Sequence, residues 1–401
     1  AAVFVDAAAP AGGDGRSWAT AFNALQAAIN DAAEVGTIWM AGGTYLLSNQ
    51  VSVNKAVTIY GGFAGDEGVL AGRDPETNAT LIDGDLATRC LFISADAVLD
   101  GLTIQNGRHG ADFNARGGGV YIDNANPQFL NCRFLENALD VNSGGASGGA
   151  IYIDGGAPVI ENCRFENNFT DNAAQPSSGG AIHNSGGFPT ITDCLFVGNS
   201  APGDESSGGA IYNSGGTSAI SGCRFIDNYA GPQTGLGGAI HNFGGVHTIG
   251  GTFFRGNYVQ GFTSVRGGAI YNSGATLTLT NTIFLNNEAR HGAVGRGGAI
   301  CNNGSDPFIT NCTFFGNQAG GSEASTAIGG AIYNLNSRPE IVNSIIWGNT
   351  ADQGVAIFDD GTSLTSINSS NTDMVGPGGT GNIDLDPLLD ANGHLLVDSP
   401  C

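Results

Sequence analysis

Short apolar segments alternate with turns rich in glycine, asparagine and serine along most of the chain, and they recur at a nearly fixed spacing. Glycine-led tetrads of the GGAI type begin at Gly117, Gly148, Gly179, Gly208, Gly237, Gly267, Gly297 and Gly329. A second motif, F-x-x-N, ends at Asn137, Asn168, Asn199, Asn228, Asn257, Asn287, Asn317 and Asn349, with Ile346 in place of the aromatic residue in the last copy. Both motifs recur every 29 to 32 residues at a constant offset. This pairing predicts a repeat architecture.

Each repeat contains three apolar segments of strand-like length, separated by turn residues. The third segment places one phenylalanine in the same position of successive repeats: Phe134, Phe165, Phe196, Phe225, Phe254, Phe284 and Phe314. Such short strands cannot bury an apolar face alone, but stacked repeats enclose one continuous core, with about 4.8 Å between neighbouring strands. We therefore predict an all-β, right-handed parallel β-helix with three sheets and about 30 residues per coil.

The glycine and asparagine residues that recur in every repeat have a structural interpretation. The glycine pair marks a sharp turn before the first strand, where glycine adopts positive φ at no steric cost. The asparagines of F-x-x-N fall where the third strand ends, so we expect them to form a hydrogen-bonded ladder along the solenoid axis.

The repeats divide the chain into three parts. Residues 1–85 are predicted to form an N-terminal cap and the first coils, with an amphipathic helix at about 20–33 that lies over the first coil. Ser17 or Thr20 is the predicted helix cap, and Phe22, Leu25 and Ile29 form the apolar face. Residues 86–353 form the regular β-helix. Residues 354–401 form degenerate coils, after which we expect further sequence or another copy to cover the exposed sheet edges.

The charge balance excludes some classes of partner. The chain has 401 residues with a formal net charge of −22, and Lys55 is its only lysine. This charge argues against binding to nucleic acid or to an anionic membrane surface. No apolar segment approaches the length of about 18 residues needed for a membrane span. We expect a secreted protein, extracellular or at the cell surface, whose signal peptide has been removed.

Five of the eight cysteines share one position of the repeat: Cys132, Cys163, Cys194, Cys223 and Cys312. This position precedes the buried phenylalanine by two residues, so it should point inward, and inert packing thiols are the favoured interpretation. The spacing of neighbouring coils also brings Cys132–Cys163 and Cys194–Cys223 within disulfide range.

The paired motifs GGA[I/V] and F-x-x-N over residues 117–349 resemble those of the polymorphic outer-membrane autotransporter adhesins. The front of the chain, FVDAAAPAGGDGRSWATAFNALQAAINDA with IWMAGGTY and VTIYGGFAG, is similar to secreted right-handed β-helix proteins of the pectin-lyase-like superfamily. These resemblances imply secretion and a cell-surface or extracellular role. They do not imply one activity, because that superfamily includes lyases, hydrolases, adhesins and structural proteins.

Candidate chemistry is sparse. Asp123 and Asp154 occupy equivalent positions of adjacent coils, so they are candidates for a catalytic or calcium-binding carboxylate pair, or for turn residues that replace the asparagine of later coils. Arg133 and Arg164 should face outward, either to bind an anionic sugar or to form a salt-bridged surface. An outward stripe for stacking on a sugar or a partner contains Tyr121, Tyr152, His183, Tyr212 and His241.

Segments of unlike sequence between F-x-x-N and the next GGAI form one edge of the solenoid, where we expect binding loops. The favoured function is structural or adhesive, including a head-to-tail extracellular filament. A carbohydrate-active enzyme of the pectin-lyase-like type, acting as a polysaccharide lyase or glycoside hydrolase, is the alternative. No cofactor is required, although calcium is compatible with the acidic residues. Partners include a second copy of the chain, a polysaccharide or a host cell-surface protein.

Overall fold

The computed structural model describes residues 2–109, 115–140, 144–171, 176–292, 294–321, 326–373 and 379–401. The described strands form five parallel sheets, three of which enclose the main core. Sheet A has the strands Ala2–Val5, Thr37–Ala41, Thr58–Phe63, Val98–Asp100, Gln128–Leu130, Val159–Glu161, Thr190–Thr192, Thr217–Ser221, Val246–Gly250, Thr276–Thr280, Phe308–Thr310, Glu340–Val342 and Ser366–Asn368.

Sheets B and C complete the walls of the solenoid. Sheet B consists of Gly43–Leu46, Thr80–Asp83, Leu102–Gln105, Arg133–Leu135, Arg164–Glu166, Leu195–Val197, Arg224–Ile226, Phe253–Arg255, Ile283–Leu285, Thr313–Phe315, Ile345–Trp347 and Asn371–Thr372. Sheet C consists of Val51–Val53, Leu91–Ile93, Val120–Asp123, Ile151–Asp154, Ile182–Ser185, Ile211–Ser214, Ile240–Phe243, Ile270–Ser273, Ile300–Asn303, Ile332–Leu335 and Ile357–Asp359. The predicted coil-on-coil stacking is confirmed, because equivalent residues of successive coils are direct partners, as in Ile151 with Ile182.

The core is built from columns of identical side chains. The seven phenylalanines from Phe134 to Phe314 are fully buried, and their neighbouring ring centroids are 4.5 to 4.8 Å apart. Offset or parallel aromatic pairs at this spacing add about 0.5–1.5 kcal/mol each beyond the burial of apolar area. The repeat length therefore places each ring directly on the ring of the previous coil.

The glycine pair has two separate structural roles. Gly208 has φ of 62°, and a Cβ atom at this position would overlap the carbonyl oxygen of Ile211. Gly209 has no positive φ, but its Cβ would collide with the carbonyl oxygen of Gly238 in the next coil. The first glycine is therefore required by the turn and the second by the close approach of stacked backbones.

The F-x-x-N asparagines form a buried ladder. The Nδ2 of Asn228 donates to the Oδ1 of Asn257 at 2.9 Å and to the carbonyl of Phe196 at 3.1 Å. Its Oδ1 accepts from the backbone N–H and the Nδ2 of Asn199, both at 3.0 Å. The amide-to-amide bond recurs from Asn137 to Asn349 at 2.9 to 3.0 Å. Each side chain thus satisfies backbone groups at the turn as well as its neighbours.

Sequence reasoning missed a second buried ladder, in sheet C. It consists of Asn184, Asn213, Asn242, Asn272, Asn302 and Asn334, with Nδ2–Oδ1 distances of 2.8 to 3.2 Å. Asn334 donates to the Oδ1 of Asp359 at 2.8 Å, so a carboxylate ends the ladder. The sequence pattern could have predicted this ladder, because successive side chains of a strand point to opposite faces. An inward isoleucine therefore places the asparagine two positions later on the inward face as well.

The N-terminal helix is shorter than predicted. A 3-10 turn spans Trp18–Thr20, and the α-helix spans Leu25–Asp31, with Leu25 and Ile29 buried against the first strands. The predicted cap is wrong, because Ala24 occupies the N-cap position and no side chain there accepts a capping hydrogen bond. A second 3-10 turn spans Leu70–Gly72.

The segments predicted as variable loops form two more sheets, which is a correction. Sheet D consists of Ala138–Asp140, Phe169–Asp171, Ser200–Ala201, Tyr229–Ala230, Tyr258–Gln260, Glu288–Gly292 and Gln318–Gly321. Sheet E consists of Ala115–Arg116, Ala146–Ser147, Ser177–Ser178, Glu205–Ser207, Thr234–Leu236, Ser264–Arg266 and Gly295–Arg296. We call sheets D and E together the ridge. Ala230, Val259, Val265 and Ala289 form a small core within it. Stacking pairs the backbones of unlike sequences because ladder hydrogen bonds do not depend on side chains.

Candidate functional site

The stripe of Tyr121, Tyr152, His183, Tyr212 and His241, continued by Tyr271, forms an aromatic column on the outer side of sheet C. Successive ring centroids are 4.8 to 5.3 Å apart. Tyr152, His183 and His241 are nevertheless buried, whereas Tyr121 and Tyr212 are partly exposed. The prediction of an accessible stripe is wrong for most of its length, because sheet E lies over it.

One residue from each strand of sheet E lies at the same register position and forms a second column beside the aromatic column. Its members are Arg116, Ser147, Ser178, Ser207, Leu236, Arg266 and Arg296. The guanidinium of Arg116 lies 5.0 Å from the ring centroid of Tyr152, and that of Arg266 lies 6.0 Å from the ring centroid of Tyr271. Such cation–π contacts contribute about 0.5–1 kcal/mol at exposed sites and more when desolvated. Large side chains in this column therefore close the space above the aromatic rings.

An open cleft remains where the sheet E column carries serine. Ser178 and Ser207 leave a space of about 460 Å³ above His183 and Tyr212, with Glu205 at its edge. The other lining residues are Pro176, Ser177, Ser214, Thr234 and Leu236. The cleft offers an aromatic surface, several hydroxyl groups and one carboxylate. This composition and volume suit a small polar, hydroxylated ligand.

The two histidines of the column are uncharged at neutral pH. Burial, with a contribution from the charge of Arg116, lowers the pKa of His183 to about 3, and burial alone lowers that of His241 to about 3. His183 Nδ1 shares a hydrogen bond of 2.9 Å with Ser178 Oγ, whereas neither ring nitrogen of His241 has a partner among the described residues. His183 is therefore a neutral hydrogen-bonding group at the edge of the cleft.

Asp123 and Asp154 are register partners and the last residues of two adjacent strands of sheet C, as predicted for adjacent coils. The hydroxyl of Tyr121 donates to the Oδ2 of Asp154 at 2.5 Å, and burial, followed by this bond, raises the pKa of Tyr121 to about 12. The comparison with the later asparagines was wrong, because Asp154 pairs with Ser185 and the asparagine ladder begins one residue earlier. Side-chain alternation separates the two positions onto opposite faces.

Arg133 and Arg164 are neighbours on the outer face of sheet B, and both contact the same carboxylate. The Nε of Arg133 pairs with Oε2 of Glu166, and the Nη2 of Arg164 lies 2.8 Å from Oε1. Burial raises the pKa of Glu166, but the hydrogen bonds and charges of the two arginines outweigh burial and lower it overall. The salt-bridged alternative therefore describes these residues.

The possible disulfides Cys132–Cys163 and Cys194–Cys223 are not formed in the structure, in which all eight cysteines are free thiols, as the favoured interpretation expected. In-register parallel strands keep side chains parallel at about 4.8 Å, whereas a disulfide needs Cβ atoms about 3.8 Å apart. The Sγ of Cys163 instead lies 3.4 Å from the backbone nitrogen of Cys132. Burial raises the pKa of Cys312 to about 12, which makes it a packing thiol. Among the described residues, no group of three or more His, Cys, Asp or Glu side chains could hold a metal ion.

Comparison with known proteins agrees with this geometry. A family model described as a right handed beta helix region matches residues 87–259. The chain is a right-handed parallel β-helix. A second model, the Chlamydia polymorphic membrane protein repeat, matches residues 311–335, which confirms the resemblance inferred from the two motifs. That segment contains F-x-x-N ending at Asn317 and the GGAI tetrad starting at Gly329.

Among solved structures, this right-handed β-helix is similar to tailspike protein 3 of bacteriophage CBA120, with a TM-score of 0.48 and 11% sequence identity. The match covers 96% of this chain and 60% of the tailspike chain, so the β-helix spans about three fifths of that protein. No curated protein matches the sequence. In the part of the chain that the structure describes, no helix is long and apolar enough to cross a membrane.

Proposed function

We propose that this β-helix is an extracellular or cell-surface protein with an adhesive role, and that the cleft between sheets C and E is its binding site. The single observation that carries the proposal is the opening at Ser178 and Ser207. Arg116 and Arg266 of the same column lie over Tyr152 and Tyr271, both of which are buried, whereas the ring of Tyr212 at this opening is partly exposed. The β-helix fold and the polymorphic membrane protein repeat support a surface role.

The cleft favours a neutral, hydroxylated ligand. Tyr212 supplies a partly exposed ring on which a sugar can stack, and Ser178, Ser207 and Thr234 supply hydroxyl groups. The carboxylate of Glu205 at the edge of the cleft disfavours an anionic ligand at this place. We therefore infer that the partner presents neutral saccharide chains on a cell surface.

The test closes the cleft with a side chain that the fold already accepts in this column. Ser207→Arg reproduces the arginine found at 116, 266 and 296, so it should fold normally and cover Tyr212. The matched control is Thr248→Arg, on an exposed position of sheet A. Binding to an array of neutral glycans should be lost in Ser207→Arg and kept in Thr248→Arg. Equal binding by both variants would contradict the proposed site.

Two finer predictions stay open to experiment. A head-to-tail filament requires the last strands of one molecule to pair with the first strands of another, and electron microscopy or light scattering would detect the assembly. The enzymatic alternative depends on Asp123 and Asp154, and assays for unsaturated or reducing-end products on pectin and alginate would detect it. Removal of calcium with a chelator in the same assays tests whether the ion contributes.

A further inference from the structure

A second pocket lies on the outer face of sheet B. Residues 379–401 fold back along this face, and Gly393 is buried against Ile283 and Thr313. The returning chain forms a wall that contains Asn392 and His394, and the pocket beside it has a volume of about 460 Å³. We propose that this pocket binds an acidic saccharide unit, carrying either a carboxylate or a sulfate group.

Two arginines supply the positive charge of the pocket. Arg224 and Arg255 stand on adjacent strands and point to the same side of sheet B, because their register partners are Phe253 and Ile226. Both are exposed, and neither forms an ion pair with any described residue. This differs from Arg133, earlier in the same column as Arg224, which is neutralised by Glu166. Unpaired guanidinium groups are suited to bidentate recognition of an oxyanion.

The net charge of the chain does not oppose this assignment. A charge of −22 is spread over a long solenoid, and at physiological ionic strength charges farther apart than about 8 Å are largely screened. The potential inside the pocket is therefore set by its own side chains and by the nearest carboxylates, Asp227, whose Oδ1 lies beside Gly256, and Asp390. Asp390 lies 3.2 Å from His394, and Arg224 and Arg255 are the main source of positive charge in the pocket.

The remaining lining residues favour a sugar over a bare anion. Phe253 and Ile283 are register partners that form a partly exposed apolar surface between the arginines and the wall. The guanidinium of Arg224 lies 5.7 Å from the ring centroid of Phe253, which orients the charge beside this surface. Asn281 and Asn392 provide amide donors and acceptors for hydroxyl groups. An apolar surface, two amides and two cations together match the C–H face, hydroxyls and acid group of one sugar residue.

The experiment is calorimetric titration of the whole chain with three probes: a galacturonate tetrasaccharide, a heparin-derived tetrasaccharide and neutral maltotetraose. At least one acidic probe should bind, more weakly as salt is raised, and more tightly than maltotetraose. Binding of the carboxylated or of the sulfated probe alone would support the proposal and identify the acid group. Binding of neither acidic probe would overturn it.

Matched variants locate the binding. Arg224→Gln and Arg255→Gln should each lower the affinity for the acidic probe about fivefold or more, as expected for loss of a charge-assisted contact in a partly solvated pocket. Arg338→Gln removes the same charge from an exposed turn elsewhere and should leave the affinity within about twofold. Unchanged thermal unfolding would show that the variants are folded. If Arg338→Gln lowered the affinity as much as Arg224→Gln, the effect would come from the total charge of the protein rather than from this pocket. That result would refute the proposed binding site.

Discussion

Replacing one internal asparagine of the F-x-x-N ladder should destabilise the solenoid far more than its single side chain suggests. Asn228 lies near the middle of the ladder and is fully buried. In Asn228→Ala, the backbone N–H of Asn199 loses its acceptor, while Nδ2 of Asn199 keeps its bond to the carbonyl of Phe165 at 2.9 Å. The carbonyl of Phe196 also loses a donor.

The magnitude follows from these partners. An orphaned buried donor costs about 1–3 kcal/mol, and each further lost hydrogen bond costs about 0.5–1.5 kcal/mol net. With one orphaned N–H and three further bonds lost, we expect a loss of about 4 kcal/mol in the free energy of unfolding. Asn228→Asp should be at least as damaging at neutral pH, because a carboxylate accepts from Asn199 but faces the Oδ1 of Asn257 without a proton to donate.

Urea unfolding followed by circular dichroism measures the effect, with hydrogen exchange reporting which coils open first. Repeat proteins can lose cooperativity, so local protection of the coils around Asn228 is the more direct measurement. The control is Asn23→Ala, at an exposed position outside the ladder, which should change stability by no more than about 0.5 kcal/mol. If Asn228→Ala fell within the same range, the ladder would not stabilise the fold as argued.

Three further predictions follow from the same structure. Gly208→Ala should strongly reduce the thermal midpoint because its Cβ overlaps a backbone carbonyl, whereas Gly215→Ala, with φ of 71° but open space around it, should cost only about 1–2 kcal/mol. The pKa of His241 is lowered to about 3 in the folded state, so its neutral form stabilises the fold above its unfolded pKa near 6.5, and that contribution is lost as pH falls towards 3. Comparing thermal midpoints of the natural chain and His241→Phe from pH 8 to 4 should show a smaller acid loss in the variant; parallel curves would contradict the burial argument. Ellman's reagent should label only the exposed Cys401 in the native chain and eight thiols in denaturant, and rapid native labelling of more than one thiol would show that the buried cysteines are accessible.

The candidate cleft illustrates where sequence reasoning reached its limit. The aromatic column was visible in the sequence, because every coil places its residue next to the same isoleucine. The sequence did not predict that sheet E lies over this column. Sheet E is formed by segments of unlike sequence, and their pairing depends on backbone hydrogen bonds alone. Only the register shows that Ser207 falls in the same column as Arg266 and Arg296. The opening over Tyr212 is a consequence of that register.

The second pocket has the same origin. Arg133 and Arg224 are equivalent in the sequence, yet one is neutralised by Glu166 and the other faces a pocket. Arg224 lacks this ion pair because Arg255 occupies the register position that Glu166 holds beside Arg133. The wall of the pocket, with Asn392 and His394, returns to this face only through tertiary folding.

The sequence by itself determined the solenoid, with its coil length, its stacked phenylalanines and its asparagine ladder. Repeats of nearly constant length place equivalent residues next to one another in successive coils, and each repeat needs its neighbours to bury its apolar face. The tertiary structure decided what the solenoid exposes. Whether an outward side chain is covered, paired or accessible depends on non-repeating segments that pack against the coils, and the spacing of motifs carries no information about where those segments lie.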